Sequence, residues 1–552
     1  MEEIELRLNN FLFNSGILGF YRILQKNRKL DAVILEGNCL KVKSEILEHF
    51  EEDYFNAMIS SFEKDTKWYA IVNMKESIET MSMEGKEEKK IFEEKVKFIK
   101  QALESASYKA GYEILKSKGI EENPYEYLNI VKKEKDSTIR RENVLKIIKH
   151  INKYKEIYCM KNIIYNKINM FWENVAFLNR QANKNDMKEE YKKVFVKPAL
   201  NYIQKQQKSE YNCIECGNKI SKSDASGMSW LKDVGVDINR KKSAFWNFKE
   251  DTFLCPICNL IYSCIPLGFY IINSNAIFIN NNEEIEMLIR INNEIRIDRE
   301  TEKEKMENTY QKVFYYMLQY VAQEDQMVIA ENEPKNIQVV KRIASNRDNM
   351  KYEFNIISKD KLEKFNKTKQ NFKNLLNIYV KDKNDNYINV YEQVLNNFLE
   401  NKKQYALINC LINTAITENN SIDYIYHILK IQFVCIGGID LDEIQAEIGM
   451  MQKAGRQLKE YFGESREDNK LRSYVFQLNN ALRVNNVNLF MELITRMYCG
   501  IGRDIPNSYG FAKMLGDSDK FKILGYAYIL GIKQEPKKQK EDKEVEKNEG
   551  GN

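Results

Sequence analysis

Two Cys-x-x-Cys pairs carry the most specific chemistry in this chain: Cys213-Ile-Glu-Cys216 and Cys255-Pro-Ile-Cys258. Such a turn puts two thiolates within reach of one ion. Two turns supply the four soft ligands of a tetrahedral zinc site. Gly217 suits a tight turn after the first pair, and Pro256 stiffens the second. Knuckles of this kind usually stand roughly 15–20 residues apart. Here residues 217–254 intervene, so the spacing predicts an insert. Structural Zn2+ on Cys213, Cys216, Cys255 and Cys258 competes with two other readings, a redox dithiol pair and reduced core cysteines. A catalytic zinc is disfavoured, because four thiolates leave no position open for water.

The insert holds the second candidate site. Residues 239–249 read Asn-Arg-Lys-Lys-Ser-Ala-Phe-Trp-Asn-Phe-Lys, four cations and three aromatics with no acid among them. Cations neutralise phosphates and aromatic faces stack on bases. Arg240, Lys241, Lys242, Phe245, Trp246 and Lys249 are therefore candidate nucleic-acid contacts. The competing reading is that the aromatics pack the ribbon and the lysines are simply solvated.

Composition sets the frame. A chain of 552 residues is long enough for several domains and large cores. Its net charge is +5, from 85 basic and 80 acidic residues, so a nucleic-acid surface must be local rather than a product of bulk basicity. Ten cysteines, mostly single outside the two pairs, do not make a disulfide framework and fit a reducing, cytoplasmic setting. The acidic start Met-Glu-Glu-Ile-Glu lacks a signal-peptide charge pattern. No apolar run approaches the roughly 20 residues that span a bilayer, so no membrane partner is expected. His49, His150 and His427 each stand alone in helical context and read as structural. No phosphate-binding loop or nucleophile elbow is present in the sequence. There is no positive case for an enzyme.

The elements that must position these sites follow from periodicity. Residues 4–26 show helical spacing broken at Asn14-Ser15-Gly16, with Leu6, Phe11, Phe13, Ile17, Leu18, Phe20, Tyr21 and Leu24 facing a core. Runs 32–35 and 40–42 flank Gly37-Asn38 as a hairpin. One long helix is predicted over about 86–118 through Ile91, Val96, Ile99, Leu103 and Tyr108, and another helical stretch over 138–182. Phe171, Trp172, Phe177 and Leu178 read as core. Residues 264–272 and 276–279 read as a hairpin, 308–323 as helix, and 327–330, 337–343 and 352–357 as strands. From about 360 the pattern is helical, and Leu471, Val475, Leu478, Leu482, Leu489, Leu493 and Met497 mark a bundle core expected to survive as a fragment from near Ser421.

The predicted fold class is α+β, predominantly helical and multidomain, with an inserted four-cysteine zinc ribbon and a C-terminal helical bundle. The expected divisions are a mostly helical domain over 1–205, the ribbon module over 206–285, a mixed α/β continuation over 286–400, the bundle over 401–532 and a disordered charged tail over 533–552.

Three blocks in this order carry a resemblance. They are Asn14-Ser-Gly-Ile-Leu-Gly-Phe20, then Phe171-Trp172 with Phe177-Leu-Asn179, then the ribbon with Phe245-Trp-Asn-Phe-Lys249 and the following Ile265-Pro-Leu-Gly-Phe269. Together they resemble the large subunit of the type I-B (Tneap-subtype) CRISPR surveillance complex, Cascade. The blocks cover a minority of the chain, and the combination is more specific than the cysteine pairs alone. The resemblance implies a non-catalytic subunit in antiviral defence. Such a subunit sits with crRNA beside backbone subunits, reads the protospacer-adjacent motif (PAM) in target double-stranded DNA and supports R-loop formation. It implies a C-terminal bundle that resembles the small subunit and can also be made as a separate C-terminal fragment. It implies cleavage by a recruited helicase-nuclease. No PAM-reading residue follows a motif that can be carried over.

Overall fold

The first described element is a strand, not the helix that the sequence predicts there. Ile4 and Leu6 alternate with exposed residues, so β1 (Glu3–Arg7) buries one face at period two. Helix α1 (Phe11–Lys26) then runs unbroken through Asn14-Ser15-Gly16. Asn10 starts it, its side-chain oxygen accepting the N–H groups of Leu12 at 3.0 Å and Phe13 at 2.9 Å. The expected hairpin is present as β2 (Val33–Glu36) and β3 (Cys39–Lys43), turning on Gly37 at φ +55°. β3 lies between β1 and β2 in one antiparallel sheet.

The structure is a computed structural model that describes residues 3–82, 85–204, 210–234, 252–272, 274–293, 337–346, 349–381, 386–418, 422–438, 440–463, 468–506 and 508–534. The fold is α+β and predominantly helical, in two compact units. One comprises residues 1–296 and 337–354, the other 297–336 and 355–552. The expected helix over 308–323, the strand over 327–330 and the charged tail beyond residue 534 lie outside the described residues.

In the first unit, α2 (Phe50–Phe62) and α3 (Lys67–Glu79) follow the small sheet, α3 capped by Thr66. The long helix expected over 86–118 is two, α4 (Lys86–Leu103) and α5 (Ala106–Ser117). Ser105 is extended as the cap of the second, which resets the helical phase. Ile99, Leu103 and Tyr108 are buried as predicted, while Ile91 is 41% exposed and its neighbour Phe92 is buried in its place. Next come α6 (Pro124–Lys133), α7 (Ser137–Lys153) and α8 (Lys155–Asn166). The helical pattern does not reach residue 182. Phe171-Trp172 sit in a turn after α8, buried as expected. Trp172 stacks on Phe177 and Tyr54 and meets Trp230 edge-on, at ring distances of 5.6, 6.1 and 5.5 Å. Tyr54 and Tyr191 stack at 4.3 Å, so the unit has an aromatic nucleus.

Helices α9 (Met187–Tyr191) and α10 (Lys197–Ile203) lead to the ribbon strands β4 (Tyr211–Asn212) and β5 (Lys219–Ile220). After the second cysteine pair come α11 (Pro256–Ser263) and α12 (Ile265–Gly268), helical where the sequence predicts the start of a strand. The hairpin is confined to β6 (Tyr270–Ile272) and β7 (Asn275–Asn280), followed by α13 (Ile285–Asn293). β8 (Ile337–Asn346) and β9 (Asn349–Ile357) complete a sheet of order β6-β7-β8-β9, as the two later strand runs predict.

The NSGILGF and IPLGF blocks meet here. A Cβ added at Gly19 would stand 2.0 Å from the Cys264 carbonyl oxygen, and one at Gly268 would stand 1.9 Å from that of Ser15. α1 thus touches α11 and α12 backbone to backbone. Asn14, fully buried, donates to Asn280 at 2.8 Å and Asn282 at 2.7 Å. Arg22, 2% exposed, donates to the carbonyls of Leu267 (2.7 Å), Gly268 (2.9 Å) and Asn292 (2.6 Å). It binds the ends of two helices where carbonyls lack partners.

The second unit is the helical bundle. It contains α14 (Lys359–Leu375), a β10–β11 hairpin (Tyr379–Lys381, Tyr387–Asn389), α15 (Val390–Leu399), α16 (Tyr405–Glu418), α17 (Ile425–Cys435), α18 (Leu441–Gly463), α19 (Asp468–Arg483), α20 (Val487–Gly500), α21 (Ser508–Lys513) and α22 (Ser518–Lys533). α22 is buried almost all round, as a helix apolar on every side requires. The predicted core residues of α19 and α20 are buried except Leu489, which is 38% exposed. Asn409 on α16 and Asn479 on α19 exchange side-chain-to-carbonyl hydrogen bonds at 3.1 and 3.3 Å. His427 on α17 bonds Asn371 on α14 at 3.1 Å. A cut at Ser421 therefore removes three helices, α14, α15 and α16, of which α14 and α16 bond to helices that remain.

The glycines give a sharp test. In α18 a Cβ on Gly455 would stand 2.3 Å from the Tyr528 carbonyl, while one on Gly449 meets nothing within 4 Å. Gly455→Ala and Gly268→Ala are expected to destabilise their units by about 1–3 kcal/mol or more, from overpacking against backbone. Gly449→Ala should stabilise by about 0.5–1 kcal/mol, because glycine costs that much in a helix. Calorimetric unfolding of the full chain reads all three, and equal shifts for Gly455→Ala and Gly449→Ala would refute the close approach.

Candidate metal centre

The first knuckle is a turn closed by a two-residue ladder. Tyr211 pairs with Ile220 and Asn212 with Lys219. Within the turn, the Cys213 N–H donates to the Asn218 carbonyl at 2.8 Å, and the Gly217 N–H to the Cys213 carbonyl at 2.9 Å. Gly217 has φ +71°, a conformation side chains resist. The second knuckle is a helix start. Cys255 is the cap of α11 and Pro256 its first residue, where a missing N–H costs nothing. The Cys258 N–H donates to Cys255 Sγ at 3.4 Å, and the Cys255 N–H to Cys213 Sγ at 3.3 Å. Backbone donors and a helix N-terminus both favour thiolate charge.

The four sulfurs converge. All ligand atoms of Cys213, Cys216, Cys255 and Cys258 lie within 4.8 Å of one another, and Cys216 Sγ is 3.7 Å from Cys255 Sγ. Tetrahedral ligands at about 2.3 Å from zinc stand about 3.8 Å apart, so that edge fits a shared ion. It is far from the ~2 Å of a disulfide, and all four cysteines are free. Their ionisation points the same way. Hydrogen bonds from Cys216, Cys255 and Cys258 hold the Cys213 thiol well below its ordinary value. Interactions with Cys213 and Cys216 hold Cys255 and Cys258 well above theirs. Thiols packed this closely cannot all ionise unless a cation sits among them, so the donor set fits a four-coordinate metal ion. Cys213, Cys255 and Cys258 are buried and Cys216 is exposed.

Glu215, inside the first Cys-x-x-Cys, has a part the sequence did not reveal. Its carboxylate accepts hydrogen bonds from Asn9 Nδ2 at 3.0 Å, Asn10 Nδ2 at 2.9 Å and the Tyr262 hydroxyl. Burial pushes its pKa up despite those donors. Asn10 caps α1 with one atom of its amide and holds Glu215 with the other, so the knuckle is bolted to the start of α1. No periodicity or spacing signals such a contact, which joins residues far apart in sequence.

The insert's two feet are also fixed. On one side the Glu173 N–H donates to the Trp230 carbonyl at 2.8 Å and the Lys232 N–H to the Phe171 carbonyl at 2.9 Å. Asp233, at φ +68°, accepts from the fully buried Arg342 at 2.8 Å. The Arg342 guanidinium also lies over the Phe171 ring at 5.3 Å. On the other side Leu254 and Ser226 exchange backbone hydrogen bonds at 2.9 and 3.0 Å. Arg240, Lys241, Lys242, Phe245, Trp246 and Lys249 themselves lie outside the described residues.

Residues 206–270 match the family described as CRISPR-associated protein (Cas_CXXC_CXXC). The match supports a CRISPR-associated protein. No curated protein and no solved structure matches the chain. The matched stretch contains both knuckles and ends at the start of β6, and so includes α11 and α12, against which α1 packs. Among the described residues no helix is long and apolar enough to cross a membrane.

Metal content tests the centre directly. Elemental analysis of protein purified without chelators is expected to give one metal ion per chain, and Cys213→Ser or Cys258→Ser to remove it and unfold the ribbon locally, because a structural ion supplies folding free energy. Glu215→Gln should retain the metal and lower thermal stability. Wild-type protein with a metal content near zero would refute the site.

Proposed function

We propose that this protein is the non-catalytic large subunit of a type I-B (Tneap-subtype) Cascade, a crRNA-guided DNA surveillance complex of antiviral defence. In this reading it binds target double-stranded DNA, reads the PAM and supports R-loop formation. The metal is structural zinc and the protein is cytoplasmic. Its partners are crRNA, the Cascade backbone subunits, a small subunit or separately made C-terminal fragment, and a recruited helicase-nuclease. The observation that carries the reading is the family match over residues 206–270. The NSGILGF and IPLGF blocks of the resemblance also pack against each other, so they act as one structural unit rather than as scattered likenesses.

The physical logic is economical. Guide pairing carries most sequence specificity, leaving the protein a short motif to read and a backbone to grip. A basic aromatic loop whose feet are pinned by a metal knuckle and by Arg342 suits part of that task.

Co-purification decides between classes. Tagged protein expressed with its neighbouring subunits and a CRISPR array is expected to bring down a short crRNA and several subunits. Mixed nucleic acid would instead indicate a zinc-ribbon nucleic-acid-binding protein outside CRISPR, and protein alone a zinc-stabilised interaction scaffold.

The loop has its own test. Changing Arg240, Lys241 and Lys242 together to Glu should leave metal and fold intact, because exposed charges contribute little stability. Target-DNA affinity of the assembled complex should fall. The slope of log affinity against log salt should become shallower by about 0.9 per lost phosphate contact. Trp246→Ala should weaken binding by about 1–3 kcal/mol if the ring stacks on a base. Equal affinities and slopes for wild-type and triple-Glu complexes would overturn the loop's part in DNA binding.

A further inference from the structure

The four thiols of the metal centre are not equally accessible. Cys213, Cys255 and Cys258 are 3%, 1% and 1% exposed, whereas Cys216 lies open in the turn of the first knuckle. Its neighbours leave it uncovered. Ile214 is itself exposed, and the Glu215 side chain is turned to Asn10 and Tyr262. Cys216 Sγ stands 3.7 Å from Cys255 Sγ of the second knuckle. A disulfide is about 2 Å long, so these sulfurs need approach by only about 1.7 Å to bond. An accessible thiolate with a second thiol poised behind it is the arrangement that oxidants act on selectively. The exposed thiols of the bundle, Cys410 and Cys499, stand on different helices, α16 and α20. Cys39, Cys159 and Cys264 are buried.

We propose that this pair is a peroxide-sensitive switch, in which Cys216 is oxidised first and Cys255 resolves it into a disulfide that joins the two knuckles. The Cys216 thiolate attacks one oxygen of hydrogen peroxide. An S–O bond forms, the O–O bond breaks, and the departing hydroxide takes a proton to become water. The Cys255 thiolate then attacks the sulfenic sulfur of Cys216. The S–S bond forms, the S–O bond breaks, and a second hydroxide takes a proton. Two thiolates have given two electrons to one peroxide, and two waters result. Only Cys213 and Cys258 remain as thiolates, two short of a four-coordinate set, so metal binding is lost. A disulfide within either Cys-x-x-Cys would also end coordination but would leave the knuckles unjoined. The Cys216–Cys255 bond instead spans residues 217–254 and keeps the base of the insert closed. A thiol reductant reverses it by exchange. The inference rests on the metal centre and not on the Cascade reading.

The test uses the full chain carrying Cys410→Ser and Cys499→Ser, which removes the exposed thiols of the bundle, and measures metal content first. A chain without metal at that point overturns the metal centre and the switch together. Metal-loaded protein is then treated with hydrogen peroxide in small excess. A chromogenic chelator reads the freed zinc, and peptide mapping without reductant reads the disulfides. The expected result is release of the ion, a linked Cys216–Cys255 peptide pair, and recovery of metal binding after dithiothreitol and zinc. Cys216→His keeps a zinc-ligating side chain without a thiol and should slow release by about tenfold or more. Should that variant fail to take up metal, trapping the sulfenic acid with dimedone in the parent chain decides instead. Label on Cys216 supports the switch, and label on Cys213, Cys255 or Cys258 overturns it. Metal retained under peroxide, release with any other disulfide pairing, or an unchanged rate in metal-loaded Cys216→His overturns the switch and leaves the metal centre standing.

Discussion

The first unit depends on how closely one helix backbone approaches another. Gly19 and Gly268 remove the two side-chain carbons that would hold α1 away from α11 and α12, and carbonyl oxygens fill the space. At that separation α1 reaches in three directions. Asn14 meets the end of β7, Arg22 takes the carbonyl ends of α12 and α13, and Asn10 holds the metal knuckle through Glu215. Side chains at these two glycines would push α1 away and lengthen every one of those hydrogen bonds. Interiors pack too densely to absorb such a shift locally.

The metal centre is therefore not a bead on a flexible arm. Cys255 opens α11, α11 continues into α12, and α12 lies against α1. The first knuckle reaches the same helix from the other side through Glu215. An ion bound by these four thiolates would join two segments distant in sequence. The aromatic nucleus around Trp172 supports the insert's other foot through backbone bonds from Phe171 and Glu173 to Lys232 and Trp230. Function in such a scaffold is expected on what projects from it, since anchored loops carry contacts that a core cannot present.

Much of the fold was legible because local physics decided it. The β2–β3 turn needs Gly37 at positive φ. The helices of the bundle repeat apolar residues at helical spacing, and α22 is apolar all round. The four cysteines were legible because Cys-x-x-Cys geometry is local. The errors fell where two local patterns compete. Ile4 and Leu6 stand two apart, the strand period, on a run that the helical pattern after it masked, and they pair with β3. The run over 86–118 is two helices because Ser105 takes the extended conformation of a cap, and the buried face of the first includes Phe92 in place of Ile91. Leu489 matches the bundle's period and still faces solvent, because it lies in the first turn of α20, at the margin of the packed face.

The sequence by itself determined the ligand set, the helical character, the burial of the Phe171-Trp172 cluster and the presence of a basic aromatic insert. Each follows from residue type and short-range spacing. Only the tertiary structure decided that the NSGILGF and IPLGF blocks touch, that Glu215 is a clamp, that Arg342 pins the insert through Asp233, and that the Cys216 and Cys255 sulfurs approach to 3.7 Å. These are contacts between segments far apart in the chain. A glycine that makes room for a neighbour and a glycine that forms a turn are the same letter, and a buried arginine is written like an exposed one. What separates them is which backbone arrives opposite, and that is set when the elements pack.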